Sequence, residues 1–253
     1  MLSFPNISPI AFSIGPFDIY WYGLAYVLAI FLGSKQAKYY ALKYNPKLIN
    51  IEDVIPYVTI GILIGSRLGY IIFYDLGYYL SHPLDIIRTW RSGMAFHGGL
   101  IGSFIGIWLF HKKIEQPLLS ITDLIAAPGP LAGIFIMLAN FINGELYGRP
   151  TSVPWGMIFP RSDGLVRHPS QLYEMFFEGI VLYIITNITY IKYHGTKGIT
   201  TSVLLISYGM FRFFVEFFRE PHGMVWIISK GQALSIPMVI IGFVVLYIST
   251  KKK

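Results

Sequence analysis

The chain has 253 residues; 54% are hydrophobic, 17% aromatic and only 13% charged, with a net charge of +7 and no cysteine. Soluble domains carry about 25% charged residues, so this balance excludes an ordinary water-soluble enzyme, a disordered chain and a fibrous repeat. The absence of cysteine excludes disulfide frameworks, thiolate metal sites and a cysteine nucleophile of the chain's own, and no metal or cofactor is expected. In so apolar a chain the basic excess reads as membrane topology and anionic lipid, and no nucleic-acid partner is expected.

Residues 1–18 hold several Pro and Ser and Asp18 but no Lys or Arg, which does not fit a signal peptide. A bilayer core takes about 20 apolar helical residues. Seven stretches qualify, near 19–38, 54–74, 95–111, 121–141, 171–191, 199–218 and 232–249. The expected fold is an all-α integral membrane protein, a bundle of seven transmembrane helices in one polytopic domain spanning 1–253.

Between these spans, the segments near 39–53, 112–120 and 192–198 and the C-terminal tail hold Lys43, Lys47, Lys112, Lys113, Lys192, Lys197, Lys251, Lys252 and Lys253. Lys35 and Lys38 close the first span on the same side. Basic residues mark the cytoplasm, which places the N-terminus outside and the C-terminus inside. The opposite side carries Arg88, Arg91, Arg149, Arg161, Arg167 and Arg219 with a single lysine, Lys230, while Arg67 and Arg212 fall within spans. Arginine suits a bidentate grip on phosphate or carboxylate. These arginines either pair with local acids such as Asp85, Glu145 and Asp163, or form an outward-facing site for an anionic head group.

Gly61, Gly65 and Gly69 recur every fourth residue, as do Gly98, Gly102 and Gly106, with a shorter pair at Gly129 and Gly133. Such spacing lets helix backbones approach closely in lipid. His97 opens the third span just before Gly98 and Gly99, as a structural hydrogen-bonder or as a base. The stretch NFINGELYGR, 140–149, leaves the fourth span dense in polar groups, as a capped turn or a binding loop. His168, Gln171, Glu174 and Glu178 form a stripe at the start of the fifth span. Tyr208, Arg212 and Glu216 share one face of the sixth, with Arg219 three residues beyond. Ionisable residues at membrane depth are costly, so both stripes are expected to face each other or a polar cavity. An internal ion-pair network and a functional site both fit, although Glu216 alone cannot satisfy the five donors of Arg212.

Six ordered motifs carry a resemblance: WYGLAY at 21–26, HGGLIG at 97–102, NFINGELYGR at 140–149, RHPSQLYE at 167–174, YGMFRFFVEFFREP at 208–221 and GQALSIPM at 231–238. Together they resemble the prolipoprotein diacylglyceryl transferases, from about residue 4 to 248. The resemblance implies a bacterial inner-membrane enzyme of seven spans, with a polar central cavity and a periplasmic head region built from segments near 75–94 and 142–170. The implied reaction moves the diacylglyceryl group of phosphatidylglycerol to the lipobox cysteine thiol of a prolipoprotein signal peptide. It forms a thioether and releases glycerol 1-phosphate, the first step of bacterial lipoprotein maturation. The nucleophile then belongs to the substrate, consistent with a chain that lacks cysteine.

By the same resemblance Arg212 grips the phosphate, with Arg219 or Arg149 behind it, and His97 is the base or orients one. Tyr22, Asn140, Glu145 and Gly148 match positions used for binding or activity. Glu216 matches a residue that positions Arg212, and Tyr208 is a weaker carry-over. One departure stands out. Three residues before Asn140, where the family pattern GRxGN has its main phosphatidylglycerol contact, this chain has Met137, and both flanking glycines are replaced. Either Arg67, Arg149 or another arginine substitutes, or the chain is a weakened relative that binds lipid and signal peptide. An anion transporter is a further alternative, against which stands the lack of an internal repeat.

Overall fold

A computed structural model describes residues 2–5, 7–88, 95–160, 162–221 and 223–251; for 73, 74, 96, 97, 224 and 225 the backbone alone is described. Arg91, Arg161, Lys252, Lys253 and the His97 side chain, all weighed above, lie outside the described residues. Contacts divide the chain into two compact units, Tyr40–Thr122 and Met1–Tyr39 with Asp123–Lys253.

The elements follow the hydropathy pattern with two corrections. An antiparallel hairpin, β1 (Ile10–Ile14) and β2 (Phe17–Tyr20), precedes α1 (Trp21–Tyr44). Then come α2 (Val54–Tyr74), a short α3 (Leu76–Ser81), α4 (Phe96–Ile114), α5 (Leu118–Ala126) and α6 (Leu131–Asn143). The fifth expected span is one continuous helical rod, α7 (Ser170–Glu174), a π-helical stretch Met175–Val181, and α8 (Leu182–Tyr193). The chain ends with α9 (Ile199–Val215), the hairpin of β3 (Met224–Val225) and β4 (Ile228–Ser229), and α10 (Lys230–Lys251). The fold is therefore mostly helical, and the first correction is that it carries two small hairpins.

The second correction concerns the stretch 121–141, which is not one helix. Pro128, Gly129 and Pro130 end α5, and α6 restarts at an angle of 43°. Proline lacks the N–H that would continue the ladder. The orphaned Ala127 carbonyl accepts from Thr186 Oγ1 at 2.9 Å and Asn187 Nδ2 at 3.0 Å. Gln36 joins them by donating to Asn187 Oδ1 at 2.5 Å and accepting from Tyr183 Oη at 2.9 Å.

Among the described residues three helices are long and apolar enough to cross a bilayer, Pro46–Ile72, Ser170–Tyr193 and Lys230–Lys251, and the bent α5–α6 pair makes up to four. The α9 helix is apolar but has 17 residues. Lys35, Lys38 and Lys43 fall in the second half of α1, which dilutes its apolar run.

In the Tyr40–Thr122 unit, α2 and α4 meet along their glycines. A Cβ at Gly65 would fall on the Gly98 carbonyl, one at Gly61 on the Gly102 carbonyl, and one at Gly106 on the Tyr57 carbonyl. No side chain fits between backbones this close, which is the packing mode small residues provide in lipid. Arg67 is buried at 3% exposure and donates to the Asp85 carbonyl at 2.6 Å and the Ile86 carbonyl at 3.1 Å. Asp85 itself takes Arg88 at 2.5 Å and Tyr78 Oη at 2.7 Å.

In the other unit Asp123 holds the start of α9. Its Oδ2 accepts from Gly198 N at 2.5 Å, and its Oδ1 from both the N–H and the hydroxyl of Thr201 at 2.7 Å. Between α6 and α7 the chain forms a layer of short bridges, Gly148 with Arg219 and Pro150 and Met157 with Arg167. Phe141, Met157 and Phe159 are its buried core, flanked by Phe4, Tyr147 and Leu172. The tip of the β3–β4 hairpin is bare: Trp226 is 95% and Ile227 91% exposed.

Candidate functional site

The two stripes of ionisable residues read from the sequence gather where α7, its π-helical extension and α9 face each other. The four-residue spacing of Tyr208, Arg212 and Glu216 puts them on one side of α9. Glu174 and Glu178 keep the same spacing on the opposing rod. Arg212 Nη1 donates to Glu174 Oε2 at 2.7 Å, and its Nη2 lies 3.1 Å from Glu216 Oε2. Glu178 Oε1 stands farther off, 3.7 Å from Nη1. Arg219 Nη1 bonds the other oxygen of Glu174, while its Nε sits 3.4 Å from Glu216 Oε2. Two carboxylates thus bridge two guanidinium groups.

The cluster is deeply enclosed. Glu174 is 1% exposed, and Glu178, Glu216 and Arg219 are buried too, but the Arg212 side chain keeps 19% of its surface open. A further shell fixes Glu216. Ser229 Oγ, at the end of β4, donates to its Oε1 at 2.9 Å, and Ser229 is held by Gln232 through bonds of 3.0 and 3.1 Å. Gly231 makes room for the carboxylate: a Cβ there would stand 2.5 Å from its carboxyl carbon. Removing one partner of a buried ion pair costs roughly 3–5 kcal/mol, so these residues depend on each other for their placement.

A second feature lies at the start of α1 and the end of α6. A cavity of about 560 Å³ is lined by Asp18, Ile19, Tyr20, Tyr22, Gly23, Asn143 and Glu145. Tyr22 and Tyr26 meet through their hydroxyls at 3.3 Å. Gly144 ends α6 in the left-handed region at φ +68°, which turns the exposed Glu145 toward this cavity's rim. Gln171 Nε2 donates to the Glu145 carbonyl and ties the turn to α7. One turn back on α6, Asn140 is buried at 3% exposure and its amide donates to Met137 Sδ at 3.7 Å. The thioether is a weak acceptor.

The segment after this turn is fixed by backbone pairing. Gly148 N donates to the His168 carbonyl at 2.8 Å and Arg149 N to the Phe218 carbonyl at 2.9 Å. A Cβ on Gly148 would lie 2.8 Å from His168 Cβ and on the Phe218 carbonyl, so only glycine fits. The exposed Arg149 donates from Nε to the Arg219 carbonyl at 2.9 Å. Arg167 is the bolt of the layer. It pairs with Asp163 at 2.8 Å and Glu220 at 2.6 Å, donates to the Gly148 carbonyl at 2.9 Å and lies over the Tyr147 ring at 5.1 Å. The Arg167 hydrogen bond holds the Asp163 carboxyl down at about 2, and Asp163 in turn raises the Arg167 guanidinium. Burial lowers the neighbouring His168 imidazole.

The described arginines therefore have local partners. Arg88 and Arg167 pair with acids, Arg67 and Arg149 with carbonyls, and Arg212 and Arg219 with carboxylates across helices. Of the residues singled out in the sequence, Tyr208, Arg212, Glu216 and Arg219 come together in the cluster. Tyr22 and Glu145 line the cavity, and Asn140, Gly148 and Arg149 bracket the turn between them. Ser229, Asn143, Asp18 and Arg167 complete these sites; of these, Arg167 was weighed in the sequence among the arginines of an outward-facing site. Gln232 lay inside a quoted motif, and Asn143 stood in NFINGELYGR, so both were legible. Asp18 and Ser229 carried no local signal.

Comparison with known proteins bears directly on this arrangement. Residues 9–248 match the family model described as prolipoprotein diacylglyceryl transferase. The chain belongs to that family. A phosphatidylglycerol–prolipoprotein diacylglyceryl transferase of Rickettsia conorii is 47% identical over 250 residues, covering 95% of this chain and 96% of its own. The protein of the same name from Rickettsia canadensis is 46% identical, covering 98% and 99%. That of Wolbachia pipientis is 44% identical, covering 95% and 94%. The family is one of membrane-embedded transferases, so the buried arginine cluster, the cavity and the glycine-bound turn belong to an enzyme.

Proposed function

We propose that this transferase moves the diacylglyceryl group of phosphatidylglycerol to the lipobox cysteine of a prolipoprotein signal peptide. The bond from the glyceryl carbon to the phosphate oxygen breaks and a carbon–sulfur bond forms. The thiol proton leaves with a base, and glycerol 1-phosphate departs. The observation that carries the reading is the Arg212–Arg219 pair, buried beside each other within a chain of this family.

The chemistry follows from charge. A thiol attacks as thiolate, so its proton must go first. Negative charge then grows on the departing phosphate, and fixed guanidinium donors in a dry site stabilise it. Arg212, whose side chain stays 19% exposed, meets the phosphate, with Arg219 or Arg149 behind it. His97 serves as the base or orients one. Tyr22, Glu145 and Asn140 shape the approach from the cavity, Gly148 fixes the turn, Glu216 positions Arg212, and Tyr208 flanks it. The proposed setting is the bacterial inner membrane. Seven helical tracts span it, the N-terminus and the 75–94 and 142–170 segments face the periplasm as a head region, and the C-terminus is cytoplasmic.

The test mixes purified protein, phosphatidylglycerol and a lipobox peptide and measures glycerol phosphate release. A peptide with serine in place of its cysteine should release none. R212Q should lose transfer by at least about 100-fold, the scale of one lost charge-stabilising donor. Near-normal transfer in folded R212Q would falsify the phosphate role.

A further inference from the structure

We infer that Glu174 is a positioning residue for this transfer, setting the distance and angle between Arg212 and Arg219 so that both act on one phosphate. The inference rests on the reading that Arg212 meets the phosphate. Each Glu174 oxygen is committed to a different arginine, Oε2 to Arg212 at 2.7 Å and Oε1 to Arg219. No other described carboxylate does this: Glu216 offers one oxygen, Oε2, to both arginines at 3.1 and 3.4 Å and gives its other to Ser229. Glu178 reaches only to 3.7 Å of Arg212.

The burial pattern gives the arrangement its direction. Glu174 is 1% exposed while the Arg212 side chain is 19% exposed, so the carboxylate lies on the inner side of a residue that keeps part of its surface open. A planar fork held by carboxylates at both terminal nitrogens has its donors fixed in one plane. Glu174 sits at the junction of α7 with the π-helical stretch Met175–Val181, a wide turn of the sort that often marks functional positions. Ser170 and Gln171 on the same short helix bond the carbonyls of Leu146 and Glu145, so α7 is tied to the turn that borders the cavity. Glu174 touches the arginines and acts through them.

The test uses the full-length protein with phosphatidylglycerol and a lipobox peptide. E174Q keeps the size and removes the charge; E174D keeps the charge and shortens the reach by one methylene. E174Q should lower kcat by about 100-fold while the peptide KM stays within about twofold, and E174D should recover about tenfold of that loss. R219Q should also lower kcat, and the E174Q/R219Q double variant should fall no more than about threefold below the worse single, since with Arg219 gone Glu174 has no second guanidinium to align. A kcat for E174Q within about threefold of wild type overturns the inference, and so do losses that multiply in the double variant. If E174Q does not fold, E174D decides. A rate near wild type overturns the inference, whereas a loss of about tenfold at unchanged thermal midpoint and peptide KM supports it. R212Q keeps the two readings apart. Normal transfer in R212Q removes the phosphate role of Arg212, whereas a dead R212Q beside an active E174Q removes only the role of Glu174.

Discussion

At the scale of single residues, Met137 is the position where this chain parts from its family pattern. Its sulfur accepts the Asn140 amide at 3.7 Å, a neutral contact in place of a cation. M137R would free that amide and add a donor near the turn. Transfer is expected to rise about tenfold if it gains one charge-assisted contact of roughly 1.5 kcal/mol. An unchanged rate in folded M137R would show that other arginines have taken over the contact. The cluster residues were partly legible beforehand. Four-residue spacing announced the α9 face and the Glu174–Glu178 stripe, because helical periodicity is local. The sharing of Glu174 by Arg212 and Arg219 was not legible, since it depends on how two distant helices meet. Gly148 stood in a motif, but its reason, the Phe218 carbonyl against it, belongs to the strand-like layer and leaves no trace in spacing.

Individual elements show where the hydropathy reading ran past its own signals. The sequence Ala127-Pro128-Gly129-Pro130 is a plain stop, yet the apolar residues on both sides averaged it away. The β1–β2 hairpin likewise turns at Gly15, with φ +58°, followed by Pro16, and the alternation of Ile10, Phe12 and Ile14 is a strand signal that a search for apolar spans passes over. The start of α9 illustrates a cap supplied from a distance. Asp123 is 5% exposed and answers three donors of Gly198 and Thr201. D123A should destabilise the protein by about 2–3 kcal/mol, as two buried N–H groups lose their partner. D123N, which keeps one acceptor, should lose less. Thermal unfolding in detergent measures both, and a midpoint for D123A equal to wild type would rule out the capping role.

For the whole molecule, the separation of lysine from arginine along the chain is the boldest claim made by sequence, and it concerns orientation. Absence of cysteine makes that claim easy to check, because an introduced thiol is unique. Cysteine at the exposed Asp163 should react with a membrane-impermeant maleimide in spheroplasts, whereas cysteine at Lys197 should react only after the membrane is opened. Labelling of both from outside would overturn the proposed topology. Most of the helical tracts were visible in the sequence because lipid demands long apolar runs. What joins them into a working site was not, because ion pairs such as Arg219–Glu174 and clamps such as Arg167–Glu220 connect segments far apart in the chain.

The uncovered Trp226 and Ile227 at the β3–β4 tip have a consequence of their own. Ser229, on the same hairpin, holds Glu216, so the tip is covalently close to the arginine cluster. An indole that bare settles at the border between head groups and acyl chains. It then acts as a built-in float, and with the other four tryptophans replaced its fluorescence reports how deep the mouth of the enzyme rides in the bilayer. Brominated lipids would dim it according to their bromine depth, and swapping bilayers of different thickness would move the arginines with it.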